Sequence, residues 1–255
     1  MLLKELETKY ILGTKVSRGF GFEKSKSIFL EMLNFKDFSK VFTVNPEFLV
    51  DAYYDKEFQK VLNSGSYNCA DGYGIELFHG LKRTPGIDLL NYFLKVCNEK
   101  SLSIFILGGN YEKDISKKAS IEINKKFPNI NIIGSSSEFS YKKNDDIRTI
   151  EFIHKCMTEK KVSSIDLLIV GYGHKKQELW LDRNLRKIPA RIGMGVGGSL
   201  DFISKEIARA PRFIRVIGLE WLFRFVIQPK RFFRIMKAIL VFPTLSLFEK
   251  KHVAE

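Results

Sequence analysis

Residues 69 to 88 read CADGYGIELFHGLKRTPGID. Asp71 stands there beside a small apolar residue, with glycines at 72 and 74. Glycine neighbours leave a carboxylate open to a ligand, and an open carboxylate can take a proton from an attacking hydroxyl as a general base. Arg83 is close enough in sequence to hold a substrate phosphate or to set the ionisation of Asp71. Position alone also allows Asp71 to cap a helix opening near Tyr73, because aspartate favours that place. His79 sits in an apolar helical stretch and reads as packing, whereas His174 follows a glycine turn and stays a ligand candidate. No serine or cysteine has a histidine close by in sequence to mark a nucleophile. There is no Asp-x-Asp pair for a phosphate-bound divalent ion. The adjacent acids Asp145 and Asp146 fall in the polar run KKNDDIR, which reads as an exposed turn. No metal and no cofactor is therefore expected, and cations with backbone amides would have to neutralise a phosphate leaving group.

Such residues need a frame. Short apolar runs recur, each followed by a turn and a helical pattern. Lys40 to Asn45 precedes Pro46, and Ser103 to Leu107 precedes Gly108 and Gly109. Ile130 to Ile133 is a shorter candidate. Ile165 to Val170 precedes Gly171-Tyr172-Gly173, and Ala190 to Val196 precedes Gly197-Gly198. Continuous apolar strands alternating with helices predict an α/β fold, a Rossmann-like and mostly parallel sheet with helices on both faces. Ligands of such sheets sit beyond the carboxyl ends of the strands. The glycines there let backbone amides approach a phosphate. GMGVGG at 193–198 satisfies the dinucleotide spacing, but no strand ending in an acid follows it, so a nicotinamide or flavin enzyme is not indicated.

The chain has 255 residues and a formal net charge of +13. Residues 205 to 251 alone carry +8, in a segment that interleaves arginine with Trp, Phe and Ile. If 222–240 were one helix, Arg224, Lys230, Arg231, Arg234 and Lys237 would share roughly 140° of arc, with apolar residues over most of the rest. Such a helix fits a membrane interface, and its cations could equally grip a lipid diphosphate. Strand–helix alternation stops near Ala210-Pro211. The expected division is thus a core of 1–210 and a basic amphipathic helical appendage of 211–255. Three cysteines without metal spacing suit a reducing compartment. The absence of a signal core or a long apolar run points to a cytoplasmic protein, peripheral on the inner membrane face. Nucleic acid is the rival partner for so basic a chain, but no RNA- or DNA-binding signature occurs. A non-catalytic interaction protein is a third reading.

In order, the chain shows TVNPEF (43–48), ADGYGI (70–75), RTPGIDLL (83–90), FILGG (105–109), GYGHKKQELWL (171–181), GMGVGGSLDF (193–202), RAP (209–211) and GLEWLFRFVIQPKRFFR (218–234). This series resembles the WecG/TagA/CpsF family of bacterial glycosyltransferases, glycosyltransferase family 26. The resemblance implies a metal-independent, inverting transferase of the GT-E fold type. It would move a sugar, often N-acetylmannosamine, from a UDP-sugar to an undecaprenyl-diphosphate-linked sugar at the inner leaflet. It implies Asp71 as the base, and Thr43, Asn45, Arg83 and Gln177 beside the substrate. The glycines Gly108, Gly109, Gly171, Gly173 and Gly197 line the strand ends. Arg215, Arg224, Arg231 and Arg234 would complete the site when the tail docks at the membrane. The oligomeric state is left open, and a homo-oligomer is compatible with it. Two departures stand out: Lys175 replaces a usual proline, and Ser204-Lys205 replaces Ala-Gly. Both are expected where the donor is read.

Overall fold

The computed structural model of the chain describes residues 2–253. Eight strands form one sheet: β1 (Thr8–Ile11), β2 (Thr14–Ser17), β3 (Ser39–Val44), β4 (Tyr67–Ala70), β5 (Ser103–Gly108), β6 (Asn131–Ser136), β7 (Ile165–Gly171) and β8 (Ala190–Gly195). The helices are α1 (Phe22–Leu33), α2 (Pro46–Tyr54), α3 (Lys56–Asn63), α4 (Tyr73–His79), α5 (Gly86–Glu99), α6 (Ile115–Lys126), α7 (Asp146–Glu159), α8 (Lys176–Asn184), α9 (Ser199–Ile203), α10 (Arg212–Val216), α11 (Glu220–Ile227), α12 (Phe232–Met236) and α13 (Phe242–Val253).

The strands lie in the order β1-β2-β4-β3-β8-β7-β5-β6. Only the β1–β2 pair is antiparallel. The sheet is buried on both faces, which is why its strands read as unbroken apolar runs rather than alternating ones. Along β5, Phe105 and Leu107 join one core layer while Ile104 and Ile106 join the other. The period-two geometry of a strand sends them to opposite faces. The first layer is closed by α2, α3, α7 and α8, the second by α1, α5 and α6.

Three strands were not read from the sequence. β1 and β2 form a hairpin through Leu12 and Gly13, both at positive φ (51° and 75°). That is the twist a two-residue hairpin loop needs. β4 is only four residues long and carries Asn68 at full burial, so its apolar pattern is broken. Asn68 is accommodated because its Nδ2 donates to the Lys15 and Leu62 carbonyls at 2.9 and 2.6 Å.

The C-terminal stretch is not one helix over 222–240. Gln228-Pro229 breaks it after α11, since proline supplies no amide and clashes with the turn before it. A π-helical turn over Lys237–Val241 then joins α12 to α13. α13 packs on α2 and α4 and drives Phe242, fully buried, into the first core layer. Burying a phenylalanine stabilises by roughly 1.5–3 kcal/mol. The sheet is complete before Ala210, and we retain 1–210 and 211–255 as a proposed division, with α13 sharing the core of the first part.

Candidate active site

The strands end along one edge of the sheet, and there the chain encloses a cleft of about 1000 Å³. Chain order explains its position. From β3 the chain moves outward to β4, and from β5 it moves outward the opposite way to β6, with β8 and β7 filling the space between. Diverging connections leave a crevice at the carboxyl ends. Thr43, Asn45, Asp71, Arg83, Gly109, Gly171, Gly173, Gln177, Gly197, Arg224, Arg231 and Arg234 all line it. Two expected residues do not. The Gly108 carbonyl accepts from the Ser116 and Ser137 hydroxyls, and a Cβ there would lie 2.7 Å from the Gly171 carbonyl carbon, so Gly108 serves close strand packing. Arg215 instead presents its carbonyl to Arg83 at 3.0 Å.

Asp71 is the first residue beyond β4. It does not cap α4: the capping position is Gly72, and no side chain bonds the first turn. Gly72 has φ 103°, a conformation that glycine adopts freely, and a Cβ there would meet Pro46 Cδ at 2.9 Å. That turn holds Asp71 over the cleft. Burial raises its carboxyl to about 6; Glu220 adds to the rise, while the Gly86 amide, Arg224 and Arg83 oppose it. A carboxyl near 6 is ionised at neutral pH yet basic enough to take a proton. Asn45 caps α2 by accepting from the Phe48 amide at 3.1 Å, and Thr43 Oγ1 faces the Gly195 carbonyl at 3.5 Å.

Gln177 ties two glycine turns together. Its Oε1 accepts the Gly173 amide at 3.2 Å and the Gly197 amide at 2.8 Å, and its Nε2 donates to Glu178 at 2.7 Å. Glu178 is fully buried, and burial raises its carboxyl to about 8 against the opposing Gln177 contact. A carboxyl raised on folding contributes stability that is whole below its unfolded value, 4.5, and is lost as pH climbs through the folded value. The thermal midpoint should therefore fall between about pH 5 and pH 9. Glu178→Gln, scanned at the same pH values, should flatten that fall; an unchanged slope would place the titration elsewhere.

The cations of the tail turn inward. Arg224 stacks on Phe202 at 4.4 Å, and Arg231 Nη2 lies 3.2 Å from where a Cβ on Gly198 would sit. Among the described residues neither guanidinium makes a hydrogen bond or an ion pair. Burial lowers both, Arg231 to about 10. Arg234 grips Glu47 through Nε at 2.7 Å and Nη2 at 2.8 Å, and Lys237 meets Asp51 at 2.6 Å. The side chain of Lys230 lies outside the described residues. Of the cations expected at a membrane or on a lipid diphosphate, Arg224, Arg231 and Arg234 line the cleft, and Lys237 pairs with Asp51. Val226, Ile227, Phe232, Phe233 and Leu240 face solvent. The break at Pro229 reorients the chain, so a single helical wheel could not place them.

Glu47, Asp51 and His174 could reach one ion together, but Arg234, Lys237 and His174 itself already engage the carboxylates. Burial works against it, yet His174 and Lys237 hold Asp51 down at about 2. This trio joins α2 to the tail. His79 meets Ser246 at 3.0 Å and packs on Phe242, in keeping with a structural part.

The sequence reading also missed cleft residues. Tyr111 and 137–141 line it because β6 runs on to Ser136, beyond the Ile130–Ile133 run, so the serine-rich loop after it is a strand end. Asp201 lines it as well; burial raises its carboxyl, with Arg231 and Arg224 opposing. Its signal lay inside GGSLDF. The two departures, Lys175 and Ser204-Lys205, do not line the cleft. Lys175 has φ 67°, which a proline ring cannot adopt, and pairs with Asp55 at 2.6 Å. Lys205 has φ 62°, where glycine would fit without strain, so the turn is kept.

Two raised carboxyls, Asp71 and Asp201, glycine turns at strand ends and unpaired arginines in a single cleft make up a group-transfer enzyme of the α/β class. The model of the glycosyl transferase WecG/TagA/CpsF family matches residues 10–254. The chain belongs to that family and is a glycosyltransferase. It is 30% identical over 208 residues to the N-acetylglucosaminyldiphosphoundecaprenol N-acetyl-beta-D-mannosaminyltransferase of Staphylococcus aureus strain NCTC 8325 / PS 47, covering 79% of this chain and 77% of that protein. The protein of the same description from Bacillus subtilis strain 168 is 28% identical over 202 residues, covering 76% of this chain and 73% of that one.

Proposed function

We propose that this enzyme transfers N-acetylmannosamine or a related hexose from a UDP-sugar to the sugar of a polyprenyl-diphosphate-linked acceptor, with inversion. The observation that carries this is Asp71 sharing one cleft with Arg224 and Arg231. Asp71 takes the proton of the acceptor hydroxyl. The hydroxyl oxygen bonds the anomeric carbon as the bond from that carbon to the donor phosphate breaks, and UDP departs with the electron pair. A single base suffices, unlike the carboxylate pair of a glycosidase. The strand ends of β5, β6 and β7, with Gly109, Tyr111 and Tyr172, suit the nucleotide. The Asp71 side, with Arg224 and Arg231, suits the lipid diphosphate, since fixed cations stabilise phosphate charge.

The test is transfer from a panel of UDP-sugars to a lipid-diphosphate N-acetylglucosamine, followed by mass spectrometry. A product of one added hexosamine supports the reading, and its absence with every donor refutes it. Activity should survive excess EDTA; collapse with chelator and recovery with Mg²⁺ would reinstate a metal.

We further propose that the exposed apolar residues of α10 to α12 rest on the inner leaflet. No described helix is long and apolar enough to cross a membrane. Phe213, Val216, Val226 and Phe233 are each more than two-thirds exposed, an unusual density of apolar surface. Intact protein should co-sediment with anionic liposomes, and Val226→Ser with Phe233→Ser should release most of it. Retention of the double variant in the pellet would contradict this surface.

A further inference from the structure

The cleft has an apolar limb that sugar chemistry does not account for. Tyr73 and Leu77 of α4 line it, together with Ile235 of α12 and then Ala238 and Ile239 of the π turn. The last three recur at the spacing of one helical face, and Tyr73 and Leu77 are one turn apart on theirs. Leu77 is 60% exposed, so the limb opens to solvent there. Ala238 is the smallest side chain on its wall.

Resting on the transferase reading above, we propose that this limb holds the first isoprene units of the polyprenyl diphosphate. The order of groups along one stretch of chain supports it. Arg231 and Arg234 come first, then Ile235, Ala238 and Ile239, all lining the same cleft. A prenyl diphosphate has the same order, a charged head followed by an apolar branched tail. From Arg231 to Ile239 a helix rises about 12 Å, enough for the first few five-carbon units. The head end holds two arginines without ion pairs among the described residues, Arg224 and Arg231. That suits a diphosphate better than the single carboxylate of a fatty acid. The residues of the limb line the same cleft as Asp71, whereas the ridge of α10 to α12 is an outer surface exposed to solvent.

The experiment is calorimetric titration of the full chain, without detergent, with inorganic diphosphate, geranyl diphosphate and farnesyl diphosphate. Farnesyl diphosphate should bind at least tenfold more tightly than inorganic diphosphate, with geranyl diphosphate between them. Ala238→Trp fills the limb and should abolish that gain while leaving inorganic diphosphate within about twofold. Ile239→Asn should shrink the gain where a tryptophan is not tolerated by the fold. Phe233→Ser, on the outer ridge, should leave the gain intact. Equal affinities for all three ligands would overturn the proposal, as would a gain that survives both limb variants or disappears with Phe233→Ser. A prenyl gain without sugar transfer would sink the transferase reading and keep the limb. Sugar transfer with equal KM for short and long prenyl acceptors would do the reverse.

Discussion

Asp71→Asn should fold normally and lose about 100- to 10,000-fold in turnover, the worth of a positioned general base. Asparagine matches aspartate in shape but cannot accept the proton. The variant also carries its own control for folding. Burial raises Asp71 from 3.8 to about 6, so its charge at neutral pH costs stability. By linkage, the contribution of this carboxyl is whole below 3.8 and is lost as pH rises through 6. Removing the charge should therefore stabilise the fold above pH 6 by roughly 3 kcal/mol, which raises the thermal midpoint by several degrees. In the intact enzyme, kcat/KM should fall as pH drops below about 6 because the base becomes protonated. A variant that is more stable and inactive identifies the base. One that keeps more than a third of wild-type turnover removes Asp71 from the chemistry.

Arg224→Ala and Arg231→Ala should each lower kcat/KM for the lipid-linked acceptor by about 100- to 1000-fold, the cost of removing one fixed donor from developing or bound charge. Neither has an ion pair among the described residues, so their truncation leaves no partner stranded. The two should differ in pH dependence. Arg224 holds the Asp71 carboxyl down, so its loss should move the acidic limb of the rate profile upward. Arg231 is not among the largest contributors to the Asp71 shift, and its loss should move that limb less. Arg234→Ala is a contrast of another kind, because it strands the buried Glu47 carboxylate and should lower stability. Steady-state kinetics with both substrates varied would distinguish these cases. A loss confined to the donor KM would place the two arginines on the nucleotide instead.

The central strands were legible because burial on both faces makes each a continuous apolar run. The glycines after β5, β7 and β8 then marked the sheet edge. Asp71 was legible as a candidate but not as a strand-end residue, since β4 hides its strand character behind Asn68. The hairpin of β1 and β2 turns on Leu12-Gly13, which lacks the Asn-Gly or Asp-Gly pair that announces such a turn. The tail was legible in composition and misleading in geometry. Its arginines and aromatics were plain, but a break at Gln228-Pro229 and the π turn over Lys237–Val241 decide which side each one faces. Glu47, the partner of Arg234, is 187 positions away along the chain, and no local pattern announces such a pair.

The strand order has a consequence for how this catalyst can vary. One part of the cleft lining comes from residues 43–87, 196–202 and 218–243, the other from 109–111, 137–141 and 171–177 after β5, β6 and β7. Exchange of the block at 108–141 between relatives leaves Asp71, Arg224 and Arg231 untouched. Lineages, or an engineer, can therefore recombine one part while inheriting the other whole. The Gly109 amide, which donates to the Gly171 carbonyl at 3.0 Å, is a seam at which such a graft has to match.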